Sequence, residues 1–388
     1  MIINPNEYGI LLYDEKEKEN LNTVIDNKKI FRYSKMPKNF VLEFEDAVCK
    51  KINAKYCLGV INGTAGLITA LNGLGINKGD KVLVSSYTFV ATALAVILCG
   101  GIPIPLEIDL ENGVDLDDLE EQISSQKPKI CIITHLQGRC FNLEKVVKIL
   151  KQHNVWLIED SCQAFLAKNK DKYAGTFGDV GVYSFQQGKQ ISSGEGGAIV
   201  TNSNEIFTRA RNYSDMGSQR NHFPNWNAEE CLFGQNYRMS NIIGALLMAQ
   251  MDKADEIIKK QKKSSKRILK KIKNYENIII LNSSDYDGQT GMNIIFKSNL
   301  IKDTESFIKY AKEEKNVEIR FMWRNTYYDN NLFIRNKLTA KDLKGKECVK
   351  TKKIAKNMLV ISIPPILNTE EEDIIVDLFG EINNGKFN

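Results

Sequence analysis

Short apolar runs alternate with amphipathic stretches from about residue 55 onward. Four runs are apolar at nearly every position, which is typical of strands buried on both faces. They cover residues 81–85, 102–106, 129–134 and 155–159. Stretches with helical spacing cover residues 65–74, 91–99, 116–125 and 143–153. This alternation predicts an α/β fold, with a mostly parallel sheet sandwiched by helices, and Gly75 and Gly100 stand where two helix C-caps are expected.

The pattern changes after about Tyr183, first to shorter strands and a glycine-rich turn and then to one long or kinked helix at 241–274. The remainder predicts a smaller α+β domain, with Asn368 or Thr369 capping its last helix. Its strands are expected at 278–281, 293–297 and 317–320, and its helices at 304–315 and 369–382. We therefore predict a large domain with an N-terminal arm over 1–250, and a connecting helix with a small C-terminal domain over 251–388.

The composition is that of a folded globular protein, with 43% hydrophobic and 26% charged residues. The net charge of +5 is local, because nine Lys or Arg and no acid lie between Lys259 and Lys273. Such a segment is typical of a solvated helix face, with a polyanion site as the alternative, and we predict no nucleic-acid partner.

The eight cysteines and three histidines are not clustered, so we predict neither disulfides nor a metal site. The N-terminus lacks the basic start and apolar stretch of a signal peptide. The most apolar segment, at 91–105, is broken by glycine and proline and is too short to span a bilayer. We therefore expect a cytoplasmic protein with no membrane association.

Four polar segments indicate chemistry. Asn-Gly-Thr-Ala-Gly at 62–66 joins a strand end to a helix start, where backbone N–H groups bind anions. Glu-Asp-Ser-Cys-Gln at 159–163 directly follows a strand, where ligands of parallel sheets bind. Lys189 lies between hydroxyl side chains and before a glycine-rich turn at 194–197, and a polar loop at 234–239 precedes the long helix. Taken singly, these are also the residues of an ordinary turn, a helix cap, a solvated lysine and a helix entry.

Together the first three segments meet the needs of pyridoxal 5'-phosphate, which are a phosphate-binding turn, an acid at the pyridine nitrogen and a Schiff-base lysine. With its segments in this order, the chain resembles the DegT/StrS-type sugar aminotransferases, which have fold type I of the pyridoxal phosphate enzymes. The matching segments are 44–45, 62–65, 86–89, 159–163, 184–189, 194–197, 236–239 and 363–364.

The resemblance implies a role for each matching residue. Lys189 would hold the cofactor covalently, and Asp160 would keep the pyridine nitrogen protonated. Gln163 would bond the ring oxygen, and Phe89 would stack on the ring. An amine with the ordinary lysine pKa of about 10.4 is a poor base at neutral pH, so we expect the pKa of Lys189 to be lowered.

The phosphate would be bound by Gly63, Thr64, Ala65 and Ser184. Asn236 matches a residue that reaches the phosphate from the neighbouring subunit. The resemblance therefore implies a homodimer with shared active sites.

Some positions depart from the family pattern or remain open. Lys189 argues against the dehydratases of the family, which carry His there. Asp-Met-Gly at 215–217 replaces the usual His-Gly, so we expect that loop to contact a different substrate group. Gln186 stands where many sugar enzymes carry His, and the Ser-Phe-Gln-Gln run resembles the cyclitol aminotransferases and aminohydroxybenzoate synthases. His135 is either a residue near the cofactor or a core residue. Trp323, with Arg320 and Arg324, belongs either to the substrate mouth or to a surface.

The resemblance implies an aminotransferase that moves an amino group from glutamate or glutamine to a keto-sugar linked to a nucleotide. The product would serve amino-sugar, surface-glycan or natural-product biosynthesis. A free keto-cyclitol or a small phosphorylated ketone is an alternative acceptor, and a non-catalytic, cofactor-binding regulator is an alternative function.

Overall fold

The computed structural model describes residues 9–34, 39–217, 233–281, 285–323, 326–327, 329, 334 and 347–388. In this part of the chain, the strands form a seven-stranded sheet, a four-stranded sheet and a two-stranded ribbon. The strands of the large sheet are β1 Tyr56–Val60, β2 Lys81–Ser85, β3 Ile102–Leu106, β4 Ile130–Thr134, β5 Trp156–Asp160, β8 Val180–Ser184 and β9 Gly197–Thr201. The ribbon consists of β6 Lys168–Asn169 and β7 Lys172–Tyr173.

The large sheet has the strand order β1-β9-β8-β5-β4-β2-β3. Strand β9 runs antiparallel to both of its neighbours, and the other pairs are parallel. The prediction of a mostly parallel sheet is therefore confirmed. Because β9 returns beside β8, the loop between them leaves and re-enters the sheet at the edge where the parallel strands end.

Helices cover both faces of this sheet. The helices before and within the large sheet are α1 Glu15–Asp26, α2 Phe40–Ile52, α3 Gly63–Gly73, α4 Val90–Leu98, α5 Leu116–Gln126, α6 Glu144–Gln152 and α7 Asn204–Ser214. They are followed by α8 Asn241–Lys271, α9 Thr304–Glu313, α10 Val349–Ala355 and α11 Thr369–Asn383. The apolar pattern does not predict α1 and α2, which pack against α8.

The apolar runs are buried on both faces because successive side chains point to opposite layers. Val84 and Ile132 pack into the core on one side of the sheet, whereas Leu83, Cys131 and Ile133 pack into the core on the other side. This two-sided burial explains why the runs show no alternation of polar and apolar residues.

Gly75 and Gly100 end their helices as predicted. Their φ angles are +71° and +79°, in the left-handed region that favours glycine. The N–H of Gly75 bonds to the carbonyl of Asn72, and the N–H of Ile76 bonds to that of Leu71. This pair of bonds is the Schellman motif, and it satisfies carbonyls that the helix itself leaves free.

The small sheet is antiparallel and has the order β10-β11-β13-β12, with β10 Ile279–Ile280, β11 Asn293–Lys297, β12 Ile319–Phe321 and β13 Leu359–Ser362. Phe296, Phe307 and Phe379 lie in its core, which confirms a smaller α+β unit. Asn368 caps α11 by accepting the N–H of Glu371. The boundary at residue 250 stays a prediction, since α8 runs across it.

The basic segment lies mostly on α8, and in the described structure four of its nine cations pair with acids. Lys266 pairs with Asp287, Lys271 pairs with Asp373, and Arg267 Nε lies 3.1 Å from a carboxylate oxygen of Glu372. These pairs favour the solvated helix face over a polyanion site. Among the helices described, none has a stretch both long and apolar enough to cross a membrane.

Candidate active site

A cavity of about 480 Å³ opens at the edge of the large sheet where the parallel strands end. Strands β4, β5 and β8 end in it with Thr134, Asp160 and Ser184, and helices α3 and α4 begin beside it. It is lined by Asn62, Gly63, Thr64, Leu67, Phe89, Ala91, Thr92, Thr134, Asp160, Cys162, Gln163, Ser184, Gln186, Lys189 and Glu195. The topology thus brings together most of the residues selected from the sequence. Ala65 and Asn236 are not among the lining residues.

The first turn of α3 forms one end of the cavity. The side chain of Asn62 caps the helix by accepting the N–H of Ala65 at 2.8 Å. The N–H of Ala65 is therefore already bonded. The N–H groups of Gly63 and Thr64 come before the intrahelical ladder, and both residues line the cavity. Anions bind at such a helix start.

Gly63 lets α3 begin very close to strand β8. A Cβ atom at this position would lie 2.9 Å from both Cys162 Sγ and Ser184 Cβ, which is closer than real Cβ contacts. Only glycine allows the helix start, the end of β8 and the Cys162 loop to meet in this way.

Asp160 is the last residue of β5 and only 3% exposed. One carboxylate oxygen accepts the hydroxyl of Thr92 at 2.7 Å, and the other accepts the N–H of Cys162 at 3.2 Å. The hydroxyls of Thr88 and Thr134 extend the chain behind Thr92, at 2.8 and 2.9 Å. The sequence analysis did not assign these threonines, although Thr88 lies in the matching segment at 86–89.

The neighbouring acid, Glu159, points to the opposite face of the sheet because side chains alternate along a strand. It accepts backbone N–H groups of Gly175, Phe177 and Gly178. His135 Nε2 lies 2.8 Å from Glu159, and His135 Nδ1 accepts the N–H of Phe141. His135 is thus a fully buried, satisfied core residue and not part of the cavity.

Lys189 lies on the loop between β8 and β9. The N–H of Gln187 bonds to the carbonyl of Gly194, which closes the loop below the lysine. Burial lowers the pKa of Lys189, and the nearby Cys162 and Asp160 oppose part of this effect. The direction agrees with the expectation for a lysine that acts as a base. The same burial raises the pKa of the Cys162 thiol well above its usual range.

Phe89 caps the start of α4 and is 55% exposed although it lines the cavity. A large aromatic ring left open at the side of a cavity provides a surface on which a planar ligand can stack. Gln163 also lines the cavity, three residues after Asp160, and its side-chain oxygen accepts the side-chain N–H of Gln137 at 3.1 Å.

Asn236 is exposed and outside this cavity. Its backbone forms a β-bridge with Asp215, and the next residue, Tyr237, accepts the N–H of Ile61. The segment therefore pairs with the end of β1, and the side chain of Asn236 is exposed.

The expectation for the 215–217 loop needs correction at Asp215. This carboxylate is only 2% exposed, pairs with Arg238 and accepts the hydroxyl of Tyr33 at 2.7 Å. Asp215 is therefore held inside the protein and cannot reach a substrate, whereas Met216 beside it is 50% exposed.

Trp323 packs edge-on against Tyr87, with ring centroids 5.1 Å apart. The Tyr87 hydroxyl donates to the carbonyl of Trp323 at 2.8 Å. Arg320 bonds to Ser362 on the neighbouring strand, and Arg324 lies outside the described residues. Neither Trp323 nor Arg320 lines the cavity, although the charge of Arg320 contributes to lowering the pKa of Lys189.

Comparison with known proteins finds relatives of similar sequence and of similar fold. A GDP-perosamine synthase of Escherichia coli O157:H7 is 35% identical over 248 residues, which are 64% of this chain and 66% of the relative. A Micromonospora echinospora protein named as an L-glutamine:3-amino-2,3-dideoxy-scyllo-inosose aminotransferase is 31% identical over 244 residues, 63% of this chain and 57% of its own length. The matched stretches thus span less than two thirds of these relatives.

The fold also matches a solved structure of NtdA from Bacillus subtilis with bound cofactor PMP. The TM-score is 0.84 at 22% identity, and the match covers 99% of this chain and 85% of that one. The model of the DegT/DnrJ/EryC1/StrS aminotransferase family matches residues 12–379. The chain therefore belongs to the DegT/DnrJ/EryC1/StrS aminotransferase family.

Proposed function

We propose that the protein is a pyridoxal phosphate-dependent aminotransferase that transfers an amino group from glutamate or glutamine to a keto-sugar linked to a nucleotide. The observation that carries this proposal is the meeting of Lys189, Asp160 and the start of α3 in one cavity. These three features come from separate segments of the chain, and a planar phosphorylated aldehyde needs all of them.

The residues present fit this cofactor. The N–H groups at the start of α3, with Thr64 and Ser184, would bind the phosphate, and the lack of a Cβ at Gly63 lets Ser184 lie beside that helix start. Phe89 would stack on the ring, and Gln163 would bond the ring oxygen. When bound, the cofactor supplies an electron sink for the carbanion formed at the amino donor.

The protein's own groups would move the protons. Asp160, held by Thr92 and the Cys162 N–H, would keep a proton on the pyridine nitrogen through a charge-assisted bond. Lys189 Nζ would remove the proton from the α-carbon of the amino donor and deliver it to C4′ of the cofactor. Burial supports this role, since a lowered pKa leaves more of the amine unprotonated at neutral pH.

Retention of both Lys189 and Asp160 in the cavity supports an enzyme over a cofactor-binding regulator. A regulator needs the phosphate and ring contacts, but it does not need a lysine of lowered pKa beside a buried acid. The identity of residue 189 supports amino transfer over dehydration, because the family's dehydratases carry His at the position of Lys189.

The site is proposed to be completed by a second copy of the chain. Asn236 is exposed and lies outside the cavity of its own chain, which is compatible with contact to the phosphate in a partner's cavity. This arrangement makes the homodimer the active form.

A nucleotide-linked keto-sugar is the first candidate acceptor, because a GDP-perosamine synthase is among the relatives. A free keto-cyclitol is the second candidate, favoured by the relative named for scyllo-inosose amination and by Gln186 in the cavity lining. The test is a half reaction in which the enzyme is charged with glutamate or glutamine, freed of donor and mixed with each ketone. Recovery of the original cofactor absorbance with a nucleotide-linked 4-keto sugar supports the proposal. Recovery of that absorbance only with the keto-cyclitol selects the second candidate. If neither glutamate nor glutamine aminates the bound cofactor, the result contradicts the proposed aminotransferase activity.

A further inference from the structure

The amide of Gln163 is held in one orientation by the loop that follows β4. Its side-chain oxygen accepts two hydrogen bonds from Gln137, one from the backbone N–H at 3.3 Å and one from the side-chain N–H at 3.1 Å. A backbone N–H can only donate, so the atom of Gln163 facing it must be the oxygen. The NH2 group of Gln163 is therefore directed away from Gln137 and is available to the cavity that the residue lines.

Gln137 makes these bonds from an unusual backbone conformation. Its φ angle is +55°, in the left-handed region that side-chain-bearing residues seldom adopt. The neighbouring Gly138, with φ +77°, donates its N–H to the backbone carbonyl of Gln163 at 2.7 Å. The two loops after β4 and β5 are thus joined by three bonds around Gln163.

The amide of Gln137 is fixed in turn by the small sheet. Asn293, the first residue of β11 and 6% exposed, donates its side-chain N–H to Gln137 Oε1 at 2.7 Å. Reversing the Asn293 amide would place two carbonyl oxygens against each other. Thr290, from the same segment, donates its backbone N–H to the carbonyl of Gly138 at 2.9 Å, and its Oγ1 lies 2.1 Å from where a Cβ on Gly138 would be. The contact between the loop and the small sheet therefore has little freedom.

We propose that Gln137 and Asn293 are positioning residues that keep the NH2 group of Gln163 directed at the ring oxygen of the cofactor. The inference rests on the proposed function, in which Gln163 bonds that oxygen. The three amides form a relay from the small sheet to the cavity, in which Asn293 donates to the oxygen of Gln137 and Gln137 donates to the oxygen of Gln163. The hydrogen-bonding character of the cavity wall then depends on a residue of the small sheet that never touches the ligand.

The relay predicts what a carboxylate at position 137 would do. In Gln137→Glu, the ionised side chain has no N–H, so it repels the Gln163 oxygen and attracts the NH2 group, while the backbone N–H at position 137 still favours the original orientation. The Gln163 amide is then no longer held in one orientation, and the cofactor ring oxygen meets a donor for only part of the time. Asn293→Asp acts in the same direction from further away, because it reverses the amide of Gln137.

A binding experiment with two ligands measures this contact without any turnover. The affinity of apoprotein for pyridoxal 5'-phosphate is compared with its affinity for the 3-deoxy analogue, which lacks only the ring oxygen. The ratio isolates the bond to that oxygen, as in a double-mutant cycle. We expect wild type to prefer the natural cofactor by about tenfold, and we expect Gln163→Leu to abolish most of this preference.

The positioning role requires Gln137→Glu and Asn293→Asp also to reduce the preference to about threefold or less, while the affinity for the deoxy analogue stays within about twofold. A variant that merely loosened the fold would weaken both ligands alike. The absorbance maximum of the bound cofactor, which responds to the state of its ring oxygen, is expected to shift in all three variants. Gln122→Leu is the matched control, because Gln122 in α5 is as buried as Asn293 and, among the described residues, bonds to Asp118 and not to the loops around Gln163.

The outcomes separate the inference from the proposed function. If Gln163→Leu leaves the preference unchanged, Gln163 does not bond the ring oxygen, and the proposed contact and the relay both fail. If Gln163→Leu abolishes it but the Gln137 and Asn293 variants keep it, only the relay is wrong. Should Gln137→Glu fail to fold by circular dichroism, Asn293→Asp and Gln137→Met, which removes the polar groups at similar volume, decide the question by the same ratio.

Discussion

The hydroxyl of Thr92 donates a 2.7 Å hydrogen bond to the carboxylate of Asp160, from a residue 68 positions earlier in the chain. Thr92 lies in the first turn of α4, and Asp160 ends β5. Both are buried, and the chain of hydroxyls continues through Thr88 to Thr134. The bond from Thr92 holds the carboxylate of Asp160 in one orientation at the end of β5, where the proposed contact to the pyridine nitrogen requires it.

We predict that Thr92→Val, which keeps the shape of the side chain, weakens this arrangement. Loss of one bond to a charged group corresponds to about 1.5 to 3 kcal/mol, so the rate of the donor half reaction should fall at least about tenfold. Stopped-flow absorbance of the bound cofactor gives this rate. Thr69→Val is the matched control, since the Thr69 hydroxyl is equally buried but has no partner among the described residues. An equal effect of both substitutions would contradict the role of Thr92.

Replacing Asp160 itself tests the acid directly. Asp160→Asn keeps the shape but cannot hold a proton on the pyridine nitrogen by charge, so we expect the rate of the half reaction to fall by at least about tenfold. The proton-transfer step should suffer more than the affinity for cofactor, which is measured separately by titration of the apoprotein. An unchanged half-reaction rate would remove Asp160 from the site.

Lys189→Ala is expected to abolish turnover while leaving cofactor binding, because the phosphate and ring contacts remain. Removing the only proposed base should lower the rate by at least about 100-fold. Absorbance of the purified protein reports the loss of the covalent link, and equilibrium dialysis reports the bound cofactor. Added methylamine should restore part of the rate if the missing group is an amine. A variant that keeps a substantial share of the wild-type rate would contradict the assignment.

The lowered pKa of Lys189 predicts a pH dependence for its labelling. Burial makes the neutral amine available at a lower pH than in a free lysine. In apoprotein treated with pyridoxal phosphate and borohydride, labelling of Lys189 should therefore rise with a midpoint below about 10.4. Lys18 is an internal reference, because it is exposed and its pKa is raised by the neighbouring Glu15. Peptide mass spectrometry resolves the two, and a midpoint for Lys189 equal to or above that of Lys18 would contradict the structure.

Much of the fold can be predicted from the sequence because burial is a local signal. The bounds of β2 and β3 agree with the apolar runs at 81–85 and 102–106, since nearly every residue of a doubly covered strand is apolar. The choice of Asp160 and Lys189 as candidate site residues follows from the order of the motifs along the chain. The relationship of Thr92 to Asp160 does not, because hydrogen bonds across the sheet depend on strand order, which periodicity does not report.

Other features of the structure could not be predicted from the sequence, for related reasons. The antiparallel direction of β9 leaves no trace in its apolar residues, because a strand buried on both faces looks the same in either direction. The bond between Gln137 and Asn293 joins residues 156 positions apart. Asp215 looks like a free loop acid in the sequence, and only the approach of Arg238 and Tyr33 shows that it is a buried partner.

The proposed sharing of the site between two chains gives the last prediction. One parent carries Lys189→Ala, and the other carries Asn236→Asp, which places a negative charge against the cofactor phosphate. Each parent alone should be nearly inactive. If Asn236 reaches across an isologous two-fold interface, a mixed dimer contains one site with both changes and one site with neither. Co-expression from two differently tagged genes, followed by tandem purification, yields that mixed dimer.

The activity of the mixed dimer then distinguishes the two arrangements. With Asn236 acting in the partner's site, the intact site should restore about half of the wild-type rate per dimer. With Asn236 acting in its own chain, every site carries one change and no activity returns. Native mass spectrometry confirms that the purified species holds one copy of each parent, so an inactive mixed dimer cannot be ascribed to failed assembly. The matched control pairs Lys189→Ala with Asp160→Asn, two residues of the same cavity in one chain, for which mixing should restore nothing in either arrangement.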